Sequence, residues 1–285
     1  MKKRKIALFL LTAFLCGALP ACAGGSPLPE EKTGTLPAES AEQTETPETE
    51  TPPKAGPVRV LFIGNSHTYF NDMPTIFGEI AAADGREIEV KSVLKGGWTL
   101  EKHANKTDEC GEQIEKMLQE ERFDYVILQE NSDMLMSTAY YPTRYEKAVA
   151  SLVGRIHKNG AEPILYSTWG NWLEKNTMDT EKTRTLAKRN TAIGRELDVP
   201  VAYAGFAFMK VYSDPANRIK LHYTDNHHPS LYGSCLAAMT IYATAFPDSD
   251  IRAVPYHGKI SEAFAATLKN AAYEVVKDPA PFLEG

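Results

Sequence analysis

From Val58 onward, short and nearly continuous apolar runs alternate with stretches of helical apolar spacing. No other feature constrains the fold as strongly. The run Val58-Arg59-Val60-Leu61-Phe62-Ile63 stops at Gly64-Asn65-Ser66. Such a run has almost no polar face to turn to water, so it reads as a strand buried on both sides in a parallel sheet. Residues 87–94, 124–128 and 163–167 read as further strands, and 200–203 as a weak fifth. Helical spacing fills 73–83, 109–120, 145–158 and 181–197, with two more helices over 231–245 and 261–276. Asn159-Gly160 is a fitting helix stop, since glycine takes the left-handed conformation there at little cost. Strands alternating with helices of this length imply right-handed crossovers and an α/β chain whose sheet is covered on both faces. No internal repeat is visible.

The residues before this alternation are of two other kinds. The 285 residues carry a net charge of −6, split as +4 over 1–22, −5 over 23–57 and −5 over 58–285. Lys2 to Lys5 precede the apolar run Ile6–Leu15, which falls short of the roughly 20 residues a membrane span needs. A charged start, a short apolar run and small residues beyond it describe an export signal. Leu19-Pro20-Ala21-Cys22 looks like a lipobox, with Cys22 as the lipidated first residue of a bacterial lipoprotein; the alternative is cleavage after Ala21-Cys22-Ala23 and free secretion. Residues 23–57 hold seven Pro, seven Glu and six Thr and no aromatic residue. That composition cannot bury enough surface to offset ordering, so the segment reads as a disordered tether of roughly 30 Å or more. A membrane contact through Cys22 and an exported, cell-surface location follow as expectations. Residues 58–285 are long enough for one domain with a real core. Their mild acidity, without a basic stripe, argues against nucleic acid as a partner. Cys110 and Cys235 are the thiols left in this domain; whether they pair stays open, and so does the oligomeric state.

In open parallel sheets, ligands bind beyond the carboxyl ends of the strands. Gly64-Asn65-Ser66-His67-Thr68 follows the first strand. Gly96-Gly97-Trp98-Thr99 follows the second, Gln129-Glu130-Asn131-Ser132 the third and Thr168-Trp169-Gly170-Asn171-Trp172 the fourth. Asp225-Asn226-His227-His228-Pro229-Ser230 stands just before a late helix. Nucleophilic catalysis by serine needs a hydroxyl, a base, a group that orients the base, and donors for the developing oxyanion. Ser66 could supply the hydroxyl and one N–H. Gly97 leaves its N–H open to close approach, and Asn131 offers a side-chain amide. Asp225 and His228 are three apart, which places them on one side of a turn.

These blocks, in this order, resemble the SGNH hydrolases, also called GDSL-like esterases, and in particular a bacterial branch with GNS-type first blocks. Ser66 falls on the first block, Gly97 with Trp98-Thr99 on the second, Asn131 on the third, and Asp225 with His228 on the fourth. The resemblance covers nearly the whole domain. It implies a flavodoxin-like three-layer α/β/α sandwich and ester hydrolysis through an acyl-enzyme. Carried over, Ser66 is the nucleophile, His228 the base, and Asp225 orients it. Ser66, Gly97 and Asn131 form the oxyanion hole. The chain departs from the family at Asn65, which replaces an acidic residue, at Gln129, where Gly is common, and at Ser132, where Asp is common.

Trp98 and His67 are candidate substrate contacts. Export, a tether and tryptophans near the strand ends point to an acyl ester, acetyl above all, on a small molecule or a carbohydrate or envelope glycan. A non-catalytic glycan-binding lipoprotein and an O-acyltransferase with the same triad are the rival readings. No cofactor is expected, because neither a P-loop nor a GxGxxG fingerprint occurs. No metal is expected either: His222, Asp225, His227 and His228 lack a recognised zinc spacing.

Overall fold

The computed structural model describes residues 56–174 and 176–284. The expected signal, the lipidation at Cys22 and all but the last two residues of the expected tether lie outside them. Strands β1 (Val58–Gly64), β2 (Ile88–Leu94), β3 (Tyr125–Gln129) and β4 (Glu162–Tyr166) come first, then the short β5 (Trp172–Leu173), β6 (Thr177–Met178) and β7 (Val201–Ala202). Five of them form one parallel sheet in the order β2-β1-β3-β4-β7, while β5 and β6 make a separate antiparallel ribbon. The fifth sheet strand is shorter than the sequence suggests: only Leu165 and Tyr166 find partners on it, at Val201 and Ala202.

Successive side chains of a strand point to opposite faces, and that parity builds the three layers. Val60 and Phe62 of β1, Ile127 of β3, and Ile164 and Tyr166 of β4 enter one apolar cluster. Leu61, Ile63, Val126, Leu128 and Leu165 enter the other. The first cluster is closed by α2 (Met73–Ala83), α8 (Ala204–Ser213), α9 (Leu231–Ala245) and α10 (Glu262–Lys277). The second is closed by α3 (Leu100–Ala104), α4 (Glu109–Glu120), α6 (Thr143–Asn159) and α7 (Thr180–Leu197). Short helices α1 (Ser66–Tyr69), α5 (Ser132–Met136) and α11 (Ala280–Glu284) complete the set. The result is the expected flavodoxin-like α/β/α sandwich. Gly160 ends α6 at φ +87°, as Asn159-Gly160 suggests.

Helix α8 has no counterpart in the sequence reading. Ala204 to Met209 are all buried, so its apolar face has no polar opposite for a periodicity argument to find. Cys110 and Cys235 are buried free thiols, one in each cluster, and do not pair. No described helix is long and apolar enough to cross a membrane.

The strand order sets the position of the site. After β1 the chain crosses to β2 on one side, then to β3 on the other. The loops leaving β1 and β3 therefore diverge and open a crevice at the carboxyl ends. Ile63 pairs with Leu128 and Gly64 with Leu94, so the loops after β1, β2 and β3 emerge side by side.

Candidate active site

Ser66 is the first residue of α1. Asn65 caps that helix, its side-chain oxygen accepting the N–H of His67 at 3.2 Å. A tight strand-to-helix turn is thus closed by a local hydrogen bond, and it presents the Ser66 hydroxyl at the crevice. Gly64 permits the turn to sit close: a Cβ there would lie 2.7 Å from Gln129 Oε1 and 2.9 Å from Thr68 Oγ1.

His228 arrives from the far end of the chain. Its Nε2 lies 2.9 Å from Ser66 Oγ, and its Nδ1 lies 2.7 Å from Asp225 Oδ2. The other oxygen of Asp225 accepts the backbone N–H groups of His227 at 3.0 Å and His228 at 2.9 Å. One carboxylate therefore folds the turn and orients the ring on it. Burial opposes ionisation of Asp225, but the His228 ring and these two N–H groups outweigh it and hold the carboxyl down to about 2. An ionised Asp225 fixes the proton of His228 on Nδ1 and leaves Nε2 to accept from Ser66. Phe70 stacks flat on the His228 ring at 4.1 Å and 2°. The segment is anchored by Tyr223 N–H to His228 O at 2.8 Å and Trp172 N–H to Asn226 O at 2.8 Å.

The proposed oxyanion donors meet at the same cavity, about 380 Å³ in volume and lined among others by Ser66, Gly97, Asn131 and His228. Neither Ser66 N–H nor Gly97 N–H has an acceptor among the described residues. Gly97 holds φ +71°, a conformation that glycine takes without strain. Asn131 caps α5 through its oxygen, which accepts from the N–H of Asp133 at 3.1 Å and Met134 at 3.0 Å. Its Nδ2 donates to Gly97 O at 3.2 Å, which leaves a second amide hydrogen for a ligand.

The two candidate substrate contacts fare differently. His67 lines the cavity, yet its ring is buried and Nε2 has no partner among the described residues. Burial, reinforced by His227 and His228 nearby, pushes its pKa well down, so the ring is neutral. Trp98 stays outside the cavity lining. It packs under Lys95 Nζ at 4.5 Å from the ring centroid, and only its carbonyl serves the site, accepting from Asn65 Nδ2 at 3.0 Å. Trp169 is fully buried on Phe208 at 3.9 Å. His222 is turned away from any metal role: its Nε2 donates to Gly170 O at 2.9 Å and its Nδ1 accepts from Tyr212 at 3.0 Å. Among the described residues no group of three or more His, Cys, Asp or Glu is arranged to hold a metal ion.

Two residues that the sequence reading noted only as block members do more. Gln129 Oε1 accepts Asn65 N–H at 2.9 Å and the Thr68 hydroxyl at 2.9 Å, so the residue that departs from glycine braces the turn at Ser66. Glu130 is 3% exposed and accepts from Asn131 N–H, Leu100 N–H and the Tyr140 hydroxyl. Burial pushes its carboxyl up to about 7 against those three donors. The one signal in the sequence was two polar residues closing an apolar strand.

Comparison with solved structures agrees with the fold. A candidate SGNH hydrolase from Slackia heliotrinireducens matches at 28% identity and TM-score 0.57, covering 66% of this chain and 99% of that one. A DUF4886 family protein from Bacteroides uniformis matches at 19% identity and TM-score 0.61, covering 78% and 95%. TesA matches at 15% identity and TM-score 0.51, covering 66% and 98%. The last two share the fold. No protein-family model matches the chain, and no curated protein does. Together these neighbours share the α/β/α fold, and the likeness to the first of them supports the SGNH hydrolase family and with it a hydrolase.

Proposed function

We propose that the chain is a serine esterase that removes short acyl groups, acetyl above all, from carbohydrate or cell-envelope glycan. The observation that carries the reading is the continuous chain from Ser66 Oγ through His228 to Asp225, at 2.9 and 2.7 Å. Ser66 Oγ attacks the ester carbon while His228 Nε2 takes the hydroxyl proton. The carbonyl oxygen becomes an oxyanion and takes the N–H groups of Ser66 and Gly97 and the free amide hydrogen of Asn131. Collapse breaks the bond to the alcohol, which leaves with the proton from His228. Water then repeats the sequence on the acyl-enzyme, and Ser66 is regenerated. Asp225 stays ionised throughout and steadies the imidazolium.

Apart from Tyr69, the described residues that line the cavity beside Ser66 are polar or small, and none is aliphatic. That favours acetyl over fatty acyl groups. Tyr69, 43% exposed, is a flat partner for a sugar ring at the cavity edge. The location rests on the sequence: the signal-like start, Cys22 in its lipobox-like setting and the Pro, Thr and Glu-rich residues 23–57 favour an exported lipoprotein held off a membrane. Mass spectrometry of the mature N-terminus tests it, and an unmodified residue there removes the anchor.

Turnover of p-nitrophenyl acetate tests the chemistry, with p-nitrophenyl octanoate as the chain-length control. Ser66→Ala should lose on the order of 10⁴–10⁶ in kcat and all labelling by a fluorophosphonate probe. Equal rates in parent and variant would sink the nucleophile assignment. Glycan binding without probe labelling would favour a binding protein. Transfer of acetyl to an added glycan in preference to water would favour an acyltransferase.

A further inference from the structure

Glu130 is a buried carboxyl with no part in the scheme above. Buried carboxylates usually face a cation. The hydrogen-bond partners of this one are neutral donors from three separate segments, after β2, after β3 and between α5 and α6. Its Oε1 accepts the N–H of Asn131 at 2.5 Å. Its Oε2 accepts the N–H of Leu100 at 3.1 Å and the hydroxyl of Tyr140 at 2.7 Å. The Tyr140 oxygen in turn accepts the N–H of Glu101 at 3.4 Å.

Leu100 and Glu101 open α3, immediately after Gly97-Trp98-Thr99. Asn131 opens α5. The two loops leave different strands, and each brings one oxyanion donor. Glu130 grips both at their backbones. Three donors on one group suit a carboxyl, which can accept from all of them. A glutamine amide offers a single acceptor oxygen and sets an N–H group against a donor.

We propose that Glu130 is a positioning residue for the oxyanion hole: it sets the placement of Gly97 N–H relative to the Asn131 amide. It does not touch the substrate. The proposal rests on the serine-esterase reading, in which those two groups stabilise the tetrahedral intermediate. A displacement of either donor by a fraction of an ångström weakens stabilisation of that intermediate while leaving ground-state binding alone.

The experiment uses the full chain, its Glu130→Gln variant and its Tyr140→Phe variant. Four quantities are read: kcat and KM for p-nitrophenyl acetate, inhibition by phenylboronic acid, which forms a tetrahedral adduct on a nucleophilic serine, and the melting temperature. Glu130→Gln should lower kcat roughly 10- to 100-fold. KM should stay within about twofold, and boronate affinity should fall in step with kcat. Tyr140→Phe should move kcat and boronate affinity in the same direction by a smaller factor. A purely structural role would lower the melting temperature and leave kcat and boronate affinity of the folded protein unchanged; that result overturns the proposal. Should Glu130→Gln fail to fold, an unchanged kcat in Tyr140→Phe overturns it instead. A parent protein that neither turns over the ester nor labels with fluorophosphonate fails differently: it removes the esterase reading and this proposal with it.

Discussion

The side-chain nitrogen of Asn65 lies 3.0 Å from the carbonyl oxygen of Trp98, so the residue before Ser66 donates to the loop that carries Gly97. An aspartate, the commoner residue of the family at this position, could only accept. The departure from the family pattern therefore has a local partner. Asn65→Asp keeps the cap on α1 but turns a carboxylate toward a carbonyl. We expect kcat to fall about 10-fold as the two donor loops part. A melting temperature close to the parent's, with kcat unchanged, would show that the link is idle.

Gln129 offers the second check. Gln129→Met leaves Asn65 N–H and the Thr68 hydroxyl without their acceptor in a buried setting, which costs about 1–3 kcal/mol. Gly64→Ala reaches the same contact from the other side, because its Cβ would sit 2.7 Å from Gln129 Oε1. It should cost a comparable 1–3 kcal/mol, roughly, through overpacking. Urea denaturation measures both losses, and their double variant should be less than additive because the two changes share one contact.

Asn131 combines a cap and a donor, and substitution separates them. Asn131→Asp keeps an oxygen for the N–H groups of Asp133 and Met134 but has no hydrogen for an oxyanion. Its kcat should fall on the order of 10²–10³ with stability near the parent's. Asn131→Ala should show the same kinetic loss and in addition about 1 kcal/mol of lost stability. Equal kcat in Asn131→Asp and parent would remove Asn131 from the oxyanion hole.

Asp225→Asn preserves the shape of the turn but removes the charge that fixes the proton of His228. A loss on the order of 10⁴ in kcat is expected, read from steady-state rates. The carboxyl also contributes to stability. Its pKa in the fold is about 2 against an ordinary 3.8, so the contribution is present above 3.8 and is lost as pH falls through 2. Acid unfolding should therefore begin at a higher pH in Asp225→Asn, which lacks this contribution, than in the parent.

Glu130 has the opposite sign. Its pKa in the fold is about 7 against an ordinary 4.5, so the folded state keeps a proton that the unfolded state has released. This contribution is complete below 4.5 and is lost as pH rises through 7. Parent stability should decline relative to Glu130→Gln between these values, by about 3 kcal/mol at most. Urea midpoints of the two proteins, measured from pH 4 to pH 8, should converge or cross; parallel curves would place the titration elsewhere.

Much of this molecule is legible residue by residue. Strands β1, β3 and β4 announce themselves as apolar runs because a strand buried on both faces has few polar positions to spare, whereas β2, at the sheet edge, carries Glu89, Lys91 and Ser92 and is only partly buried. The amphipathic helices α4, α6 and α7 follow from their periodicity. Helix α8 escapes the same reasoning because burial removes the contrast on which periodicity depends. The site blocks are legible for a similar reason: Asn65-Ser66 is a local cap and turn, and Asp225 with His228 is a local turn closed by one carboxylate. Trp98 is less legible: its position after a strand suggests a ring facing substrate, and in the fold the ring packs under Lys95, outside the cavity lining, while its carbonyl accepts from Asn65.

Sequence alone determined which residues could take part and which sheet end would carry them, since capping, turn chemistry and apolar periodicity act over a few neighbouring residues. The tertiary structure decided which of those residues meet. Ser66 and His228 are 162 positions apart, and Asn65 and Gln129 are 64. Contacts across such separations depend on the register of parallel strands and on how helices settle on two faces of one sheet. A shift of one residue in the pairing of Ile63 with Leu128 would turn every side chain beyond it to the opposite face and disperse the site. That register is a property of the packed core as a whole, and no short stretch of the chain encodes it.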